Sequence, residues 1–184
     1  MSGAGGGEKW NSPAYDPLTN LIFTPDVEWC TTVRLQRREE VLATSVGQPW
    51  IGEKSLNPFN ELGKFTRADG VWAGWLHAVD ADTGVWKWRL KSNYPILGAV
   101  TPTAGGLVFF GDMGGNFYAL DAATGQKLWG QKIGGAIDGG VITYTANGTQ
   151  KVAVATGYVS PAVPTEIRRA QIAILGLEGD GTGQ

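Results

Sequence analysis

"FYALDAATGQKLW", from Phe117 to Trp129, repeats the plan of "LHAVDADTGVWKW", from Leu76 to Trp88. At an offset of 41 residues the two segments share Ala78/Ala119, Asp80/Asp121, Thr83/Thr124, Gly84/Gly125 and Trp88/Trp129. Each shared residue has a mechanical use. Alternation in "NFYALD" puts Phe117, Ala119 and Asp121 on one face of a strand and Tyr118 and Leu120 on the other. Asp121 can accept backbone N–H groups across the following turn, and Gly125 supplies the positive φ that closes it. The next strand ends in Trp129, and a small Ala on the strand before leaves room for the ring to lie flat on a neighbour. The repeat reads as a fastener between sheets.

The offset continues outside the motif. Gly74-Trp75 lines up with Gly115-Asn116, and Gly98-Ala99-Val100 with Gly139-Gly140-Val141. A third partial match relates Gly105–Asp112 to Thr149–Gly157, after about five extra residues between Tyr144 and Gly148. A period near 40 with about four short strands per unit is the signature of propeller blades.

Composition agrees. Among 184 residues there are 28 glycines and eight tryptophans, and the charged share of 17% is below the usual quarter. Many tight turns and short aromatic strands predict an all-β protein. A formal charge of -2 gives no reason to expect nucleic acid as a partner. The lone Cys30 leaves the redox compartment unreadable. No apolar run approaches the ~18 residues of a membrane helix. The opening "MSGAGGGEKW" lacks the layout of a secretory signal, and its glycine-rich run straight into a strand pattern suggests a piece of a larger gene product.

The pattern Ala-x-Asp-x-x-Thr-Gly-x-x-x-Trp resembles the tryptophan-docking motif of quinoprotein dehydrogenases, whose cofactor is pyrroloquinoline quinone (PQQ). Two other stretches carry the same likeness. Gly6 to Cys30 resembles the family segment reading Gly-Gly-x-x-Trp, Tyr-Asp-Pro-x-Thr and a strand ending Trp-Cys. Tyr94 to Trp129 resembles the later blades of the methanol and ethanol types.

What the resemblance implies is a partial β-propeller, the C-terminal blades of an eight-bladed quinoprotein propeller. Residues 1–41 would be a strand pair of an earlier blade, 42–70 a long insert, 71–97 and 98–138 the repeat blades, and 139–177 the closing strands. The implied activity is oxidation of an alcohol or sugar, with electrons passed to an acceptor such as cytochrome c or a quinone, in a periplasmic setting. The rest of the propeller would be an obligatory partner, and the chain alone should leave blade faces exposed.

In the family the quinone sits on the propeller axis beside a calcium ion, whose ligands, like the catalytic Asp, come from earlier blades. None maps onto this chain, so no catalytic or metal residue is assigned. Lys9 and Trp10 fall where methanol-type members carry Asn-Trp near the quinone oxygens, and a Lys there could donate to quinone oxygen. Leu97 aligns with the Trp that forms the floor under the ring, a departure that puts the methanol-type substrate class in doubt. Gly98 follows it at a strand end that could face the axis.

Other residues read more plainly. His77 takes the place that Tyr118 holds in the next repeat and should pack on a strand face. Cys30 should be a buried strand residue, and "RLQRREE" (Arg34–Glu40) the solvated start of a loop. The glycines of "GDMGGN" are no dinucleotide fingerprint, because a strand follows them. The alternative to a dehydrogenase is a non-enzymatic propeller of the outer-membrane assembly lipoprotein type, which shares the docking repeat and binds partner proteins.

Overall fold

The structure is a computed structural model that describes residue 7 and residues 13–28, 36–48, 73–157 and 169–176. All its strand pairs are antiparallel, and they build three sheets. The first holds β1 (Ala14–Asp16), β2 (Leu21–Val27), β3 (Gly74–Asp80) and β4 (Trp86–Ser92), side by side in that order. The second holds β5 (Thr101–Pro102), β6 (Leu107–Gly111), β7 (Asn116–Asp121) and β8 (Lys127–Lys132). The third holds β9 (Val141–Ala146), β10 (Thr149–Thr156) and β11 (Gln171–Gly176). A five-residue helix, α1 (Arg38–Leu42), follows β2. Among the described residues no helix is long and apolar enough to cross a membrane.

One expected boundary moves. The strand pair near the N-terminus is not the remnant of an earlier blade. β2 pairs with β3 from Leu21↔Asp80 to Val27↔Gly74, so β1 and β2 complete the sheet that the first repeat begins. The physical reason lies in β2 itself, where "LIFTPDV" alternates buried and half-buried positions and its buried Leu21 and Phe23 join Leu76 and Ala78 in one core. Pro25 is tolerated because its missing N–H belongs to the outer edge, the side on which Val27 donates to Gly7, and not to the β3 ladder.

The sheets stack face on face, with the second in the middle. On one side Val108, Phe110, Leu120 and Ala122 meet Leu21, Phe23, Leu76 and Ala78 of the first sheet, sealed by Ile96 and Val100. On the other side Phe117 meets Val141 and Val154 of the third, with Ile137 between. The middle sheet is thus apolar on both faces, as a blade between two blades must be. The end sheets are not covered in this way: Trp86 on the first and Ile142, Ile172 and Ile174 on the third are more than half exposed.

The repeated turn closes as its sequence requires. Asp80 Oδ1 accepts the Thr83 backbone N–H at 2.9 Å and the Thr83 hydroxyl at 2.8 Å, and Lys87 pairs with Oδ2 at 3.1 Å. Gly84 and Gly125 close the two turns at φ +70° and +73°. The Thr83 hydroxyl, more than Lys87, pulls the Asp80 carboxyl down to about 2 from an ordinary 3.8. A carboxylate depressed in the folded state stabilises it above the unfolded value, and that contribution fades as pH falls through about 2. Thr83→Ala should therefore move the Asp80 midpoint up toward 3.8 in a carboxyl NMR titration. A midpoint left in place would assign the depression to Lys87.

Trp88 does what the repeat implies. Its indole Nε1 donates to the Ala122 carbonyl at 3.0 Å, and its ring covers Gly125, where an added Cβ would lie 2.6 Å from ring carbon. Trp129, expected to be buried in the same way, is 41% exposed and touches Phe117 edge-on at 6.3 Å. The segment after β11, where its seat would fall by analogy, lies outside the described residues.

Candidate functional site

Two loops at the same ends of the sheets carry the repeat-related positions Leu97-Gly98 and Asp138-Gly139. The first loop runs from β4 to β5 and the second from β8 to β9. They touch through backbone: the Ala99 N–H donates to Gly139 O at 3.1 Å, and a Cβ on Gly98 would stand 3.0 Å from Ile137 O and 3.3 Å from Gly139 O. A side chain at Gly98 would push the facing backbone back by a few tenths of an ångström.

Asp112 holds both loops to the middle sheet. The residue is fully buried. Its Oδ2 accepts the Ser92 hydroxyl at 2.8 Å and the Tyr118 hydroxyl at 3.0 Å, while Oδ1 accepts the backbone N–H of Gly114 at 2.9 Å and of Asn116 at 3.1 Å. The Asn116 side-chain amide also donates to it, at 3.0 and 3.1 Å. Its backbone carbonyl accepts Ile137 N–H at 3.0 Å, and the next residue, Met113, donates to Pro95 O at 2.9 Å. The exit of β4 and the β6–β7 turn thus meet at the Asp112 carboxylate, and the β8–β9 loop joins them through its backbone carbonyl. Burial first, and the Asp112 charge second, push the Tyr118 hydroxyl well above the ordinary tyrosine range. Nothing in the local sequence marks this hub except an acid set among glycines.

Beside the second loop lies a cavity of about 410 Å³. Asp138, Thr156 and Gln171 give it polar walls, and Gly139, Ala155 and Gly157 small ones. The Thr156 hydroxyl oxygen is buried with no hydrogen-bond partner among the described residues.

The sequence-derived site residues fare differently. Leu97 is only 2% exposed, so its side chain is enclosed and not displayed as an open floor. Gly98 packs on the facing loop as above. Lys9, Trp10 and Cys30 lie outside the described residues. His77 packs between Trp75 (6.2 Å) and Trp86 (4.9 Å), with Nε2 3.4 Å from Asp26 Oδ2, as a strand-face residue would. Among the described residues no three His, Cys, Asp or Glu gather as a metal site.

These residues do not by themselves make a cradle for an acidic quinone. Among the described residues the cavity wall holds a carboxylate and no Lys or Arg, while a tricarboxylate needs cations or a metal to offset its charge.

Residues 73–161 match a family model described as outer membrane protein assembly factor BamB. The chain is 32% identical over 160 residues to the quinoprotein alcohol dehydrogenase PedH of Pseudomonas putida, covering 86% of this chain and 24% of that protein. It is 34% identical over 154 residues to the lanthanide-dependent methanol dehydrogenase of Methylacidiphilum fumariolicum, covering 83% of this chain and 24% of the other. A solved europium-containing methanol dehydrogenase superposes with a TM-score of 0.59 at 28% identity, over 82% of this chain and 25% of that one. The chain therefore spans about a quarter of the length of these relatives.

Proposed function

Because this chain is homologous over most of its length to one stretch of the quinoprotein alcohol dehydrogenases, we propose that it is an arc of such a propeller. On this reading it supplies one wall of a PQQ site in a periplasmic enzyme that oxidises alcohols or sugars. Electrons would leave to an acceptor such as cytochrome c, for which one related methanol dehydrogenase is named. Calcium, or a lanthanide as in the relative named for one, would be held by residues of the missing arc.

The observation that carries the reading is the reach of the likeness. A match covering 86% of the chain extends beyond residues 73–161, so it takes in more than the docking repeats that a scaffold propeller needs. The quinone, when bound, supplies the electron sink. This chain's part would be Lys9 and Trp10 near the quinone oxygens, with Leu97 and Gly98 shaping the wall behind. Lys9 would donate a hydrogen bond and a fixed positive charge.

A second reading has one observation in its favour: the family model over the repeats is described as an outer-membrane assembly factor. There the arc would belong to a protein-binding scaffold without redox chemistry.

A dye-linked alcohol assay with added PQQ and calcium or lanthanide separates the two. The longer polypeptide should turn over, and the 184-residue chain alone should not. In the longer polypeptide Lys9→Ala should lower turnover roughly tenfold or more at unchanged thermal stability. Turnover by the isolated chain would overturn the wall reading, and a longer polypeptide inert with every metal would favour the scaffold.

A further inference from the structure

The β9–β10 hairpin turns on Asn147-Gly148, the one place in the sequence where asparagine precedes glycine. Ala146 pairs with Thr149, so the loop holds two residues, and both take positive φ, +50° at Asn147 and +75° at Gly148. That is a type I′ turn, whose twist suits the paired strands and which asparagine and glycine enter at little cost. Both residues are exposed. Asn20, at φ +54°, is the other non-glycine residue of positive φ among the described residues, and it differs in two ways. Leu21 follows it, and a leucine side chain shields the next backbone nitrogen as glycine cannot. Its amide is also held at both ends, accepting from the Tyr15 hydroxyl at 3.0 Å and donating to Asp82 Oδ2 at 2.8 Å. No hydrogen bond among the described residues ties the Asn147 amide in this way.

We infer that Asn147 is a site of self-modification, deamidation through a cyclic imide, and that opening of its own hairpin sets the rate. The chemistry needs only water. The Gly148 nitrogen bonds to Asn147 Cγ and gives its proton to hydroxide, and the Cγ–Nδ2 bond breaks as ammonia departs with a proton from water. A second water then opens the imide. Cleavage at Cγ leaves aspartate, whereas cleavage at the main-chain carbonyl leaves isoaspartate, with the chain rerouted through Cβ and Cγ. The turn delays the first step. At the first central residue of a type I′ turn ψ is about +30°, which points the following nitrogen away from the side chain. Ring closure needs a rotation about the Asn147 Cα–C bond that the flanking strands cannot follow while Ala146 and Thr149 stay paired. Attack therefore waits for the hairpin to open. The result is lasting, because isoaspartate adds a carbon to the main chain and a two-residue turn no longer closes. Val141 and Val154, which these strands set against Phe117, then lose their alignment. The inference rests on this hairpin, and not on the reading of the chain as a propeller arc.

The test is to age the 184-residue chain in mildly alkaline buffer, folded and in urea, and to read isoaspartate at residue 147 by mass spectrometry of its peptides. In urea residue 147 should convert ahead of every other asparagine, Asn20 included. The folded chain should convert at least about tenfold more slowly, since attack is confined to the open population. Val154→Ala, which loosens the third sheet's hold on Phe117, should raise the folded rate several-fold. Asn147→Asp keeps the turn and should leave Tm nearly unchanged, while chains carrying isoaspartate should melt lower by roughly 2–4 °C or more. Slow conversion in urea would overturn the site. Equal rates folded and in urea, or a Val154→Ala rate equal to its parent's, would overturn control by the hairpin. Isoaspartate chains as stable as Asn147→Asp would show that the altered turn still closes, and would overturn the lasting effect.

Discussion

Asp112→Leu should bring the chain close to unfolding under ordinary conditions. The substitution keeps the branching of the side chain but removes the acceptor shared by the Ser92 and Tyr118 hydroxyls and the Gly114 backbone N–H. The Asn116 backbone and side-chain N–H groups lose the same partner. A buried donor left without an acceptor costs about 1–3 kcal/mol, so even with partial relaxation the sum is roughly 3–6 kcal/mol. A domain of this kind has only about 5–15 kcal/mol to lose. Asp112→Asn should cost less, because Oδ1 still accepts from both backbone groups and the two hydroxyls can turn to accept from the new amide. The Asn116 side-chain amide cannot turn in that way and would face another donor. Asn should also bring the Tyr118 hydroxyl back toward the ordinary tyrosine range, since it removes the charge that is the second cause of the shift; burial, the first, remains. Urea titration gives the stabilities and tyrosinate absorbance the titration. A Leu variant within about 1 kcal/mol of its parent would mean that water replaces the carboxylate and that the hub holds nothing.

What the sequence made legible here, and what it hid, divides along sequence separation. The 41-residue offset exposes the strand–turn–strand unit because Asp121, Thr124 and Gly125 act within one turn and leave a fixed local pattern. The same offset exposes Trp88, because its seat is a copy of its own turn. Pairing of β2 with β3 is different. It joins Val27 to Gly74 across a stretch with no period of its own, and no local preference records which strands a sheet recruits. "LIFTPDV" is a buried strand in any blade, so its true neighbours are a tertiary fact. Asp112 was hidden for another reason. An acid among glycines reads as a solvated turn, and only the arrival of Ser92 from another sheet makes it a buried junction. Leu97 shows the limit of likeness: alignment can say which residue stands at the floor position, while its burial in the fold decides whether its surface is offered to anything.

Trp88→Ala should cost more than Trp129→Ala by several-fold, although the two residues are equivalent in the repeat. Trp88 packs against Phe23 at 5.6 Å between centroids, covers Gly125 and bonds the Ala122 carbonyl across the boundary between two sheets. Removing it opens a cavity between those sheets and strips a carbonyl of its donor, for which a loss of about 3–5 kcal/mol is the usual scale. Trp129 is 41% exposed, and its described ring contact, with Phe117, lies within its own sheet, so its truncation should cost about 1 kcal/mol, by lost area alone. Trp88→Phe should fall between, since it keeps part of the apolar cover but leaves the Ala122 carbonyl without the indole N–H. Chemical denaturation of the three variants decides the matter, with the slope checked so that stability and not compactness is compared. Equal losses at Trp88 and Trp129 would mean that the ring stabilises each sheet from within. Unequal losses in the expected order would mean that the tryptophan works by crossing to the next sheet, and that its worth depends on a seat being present.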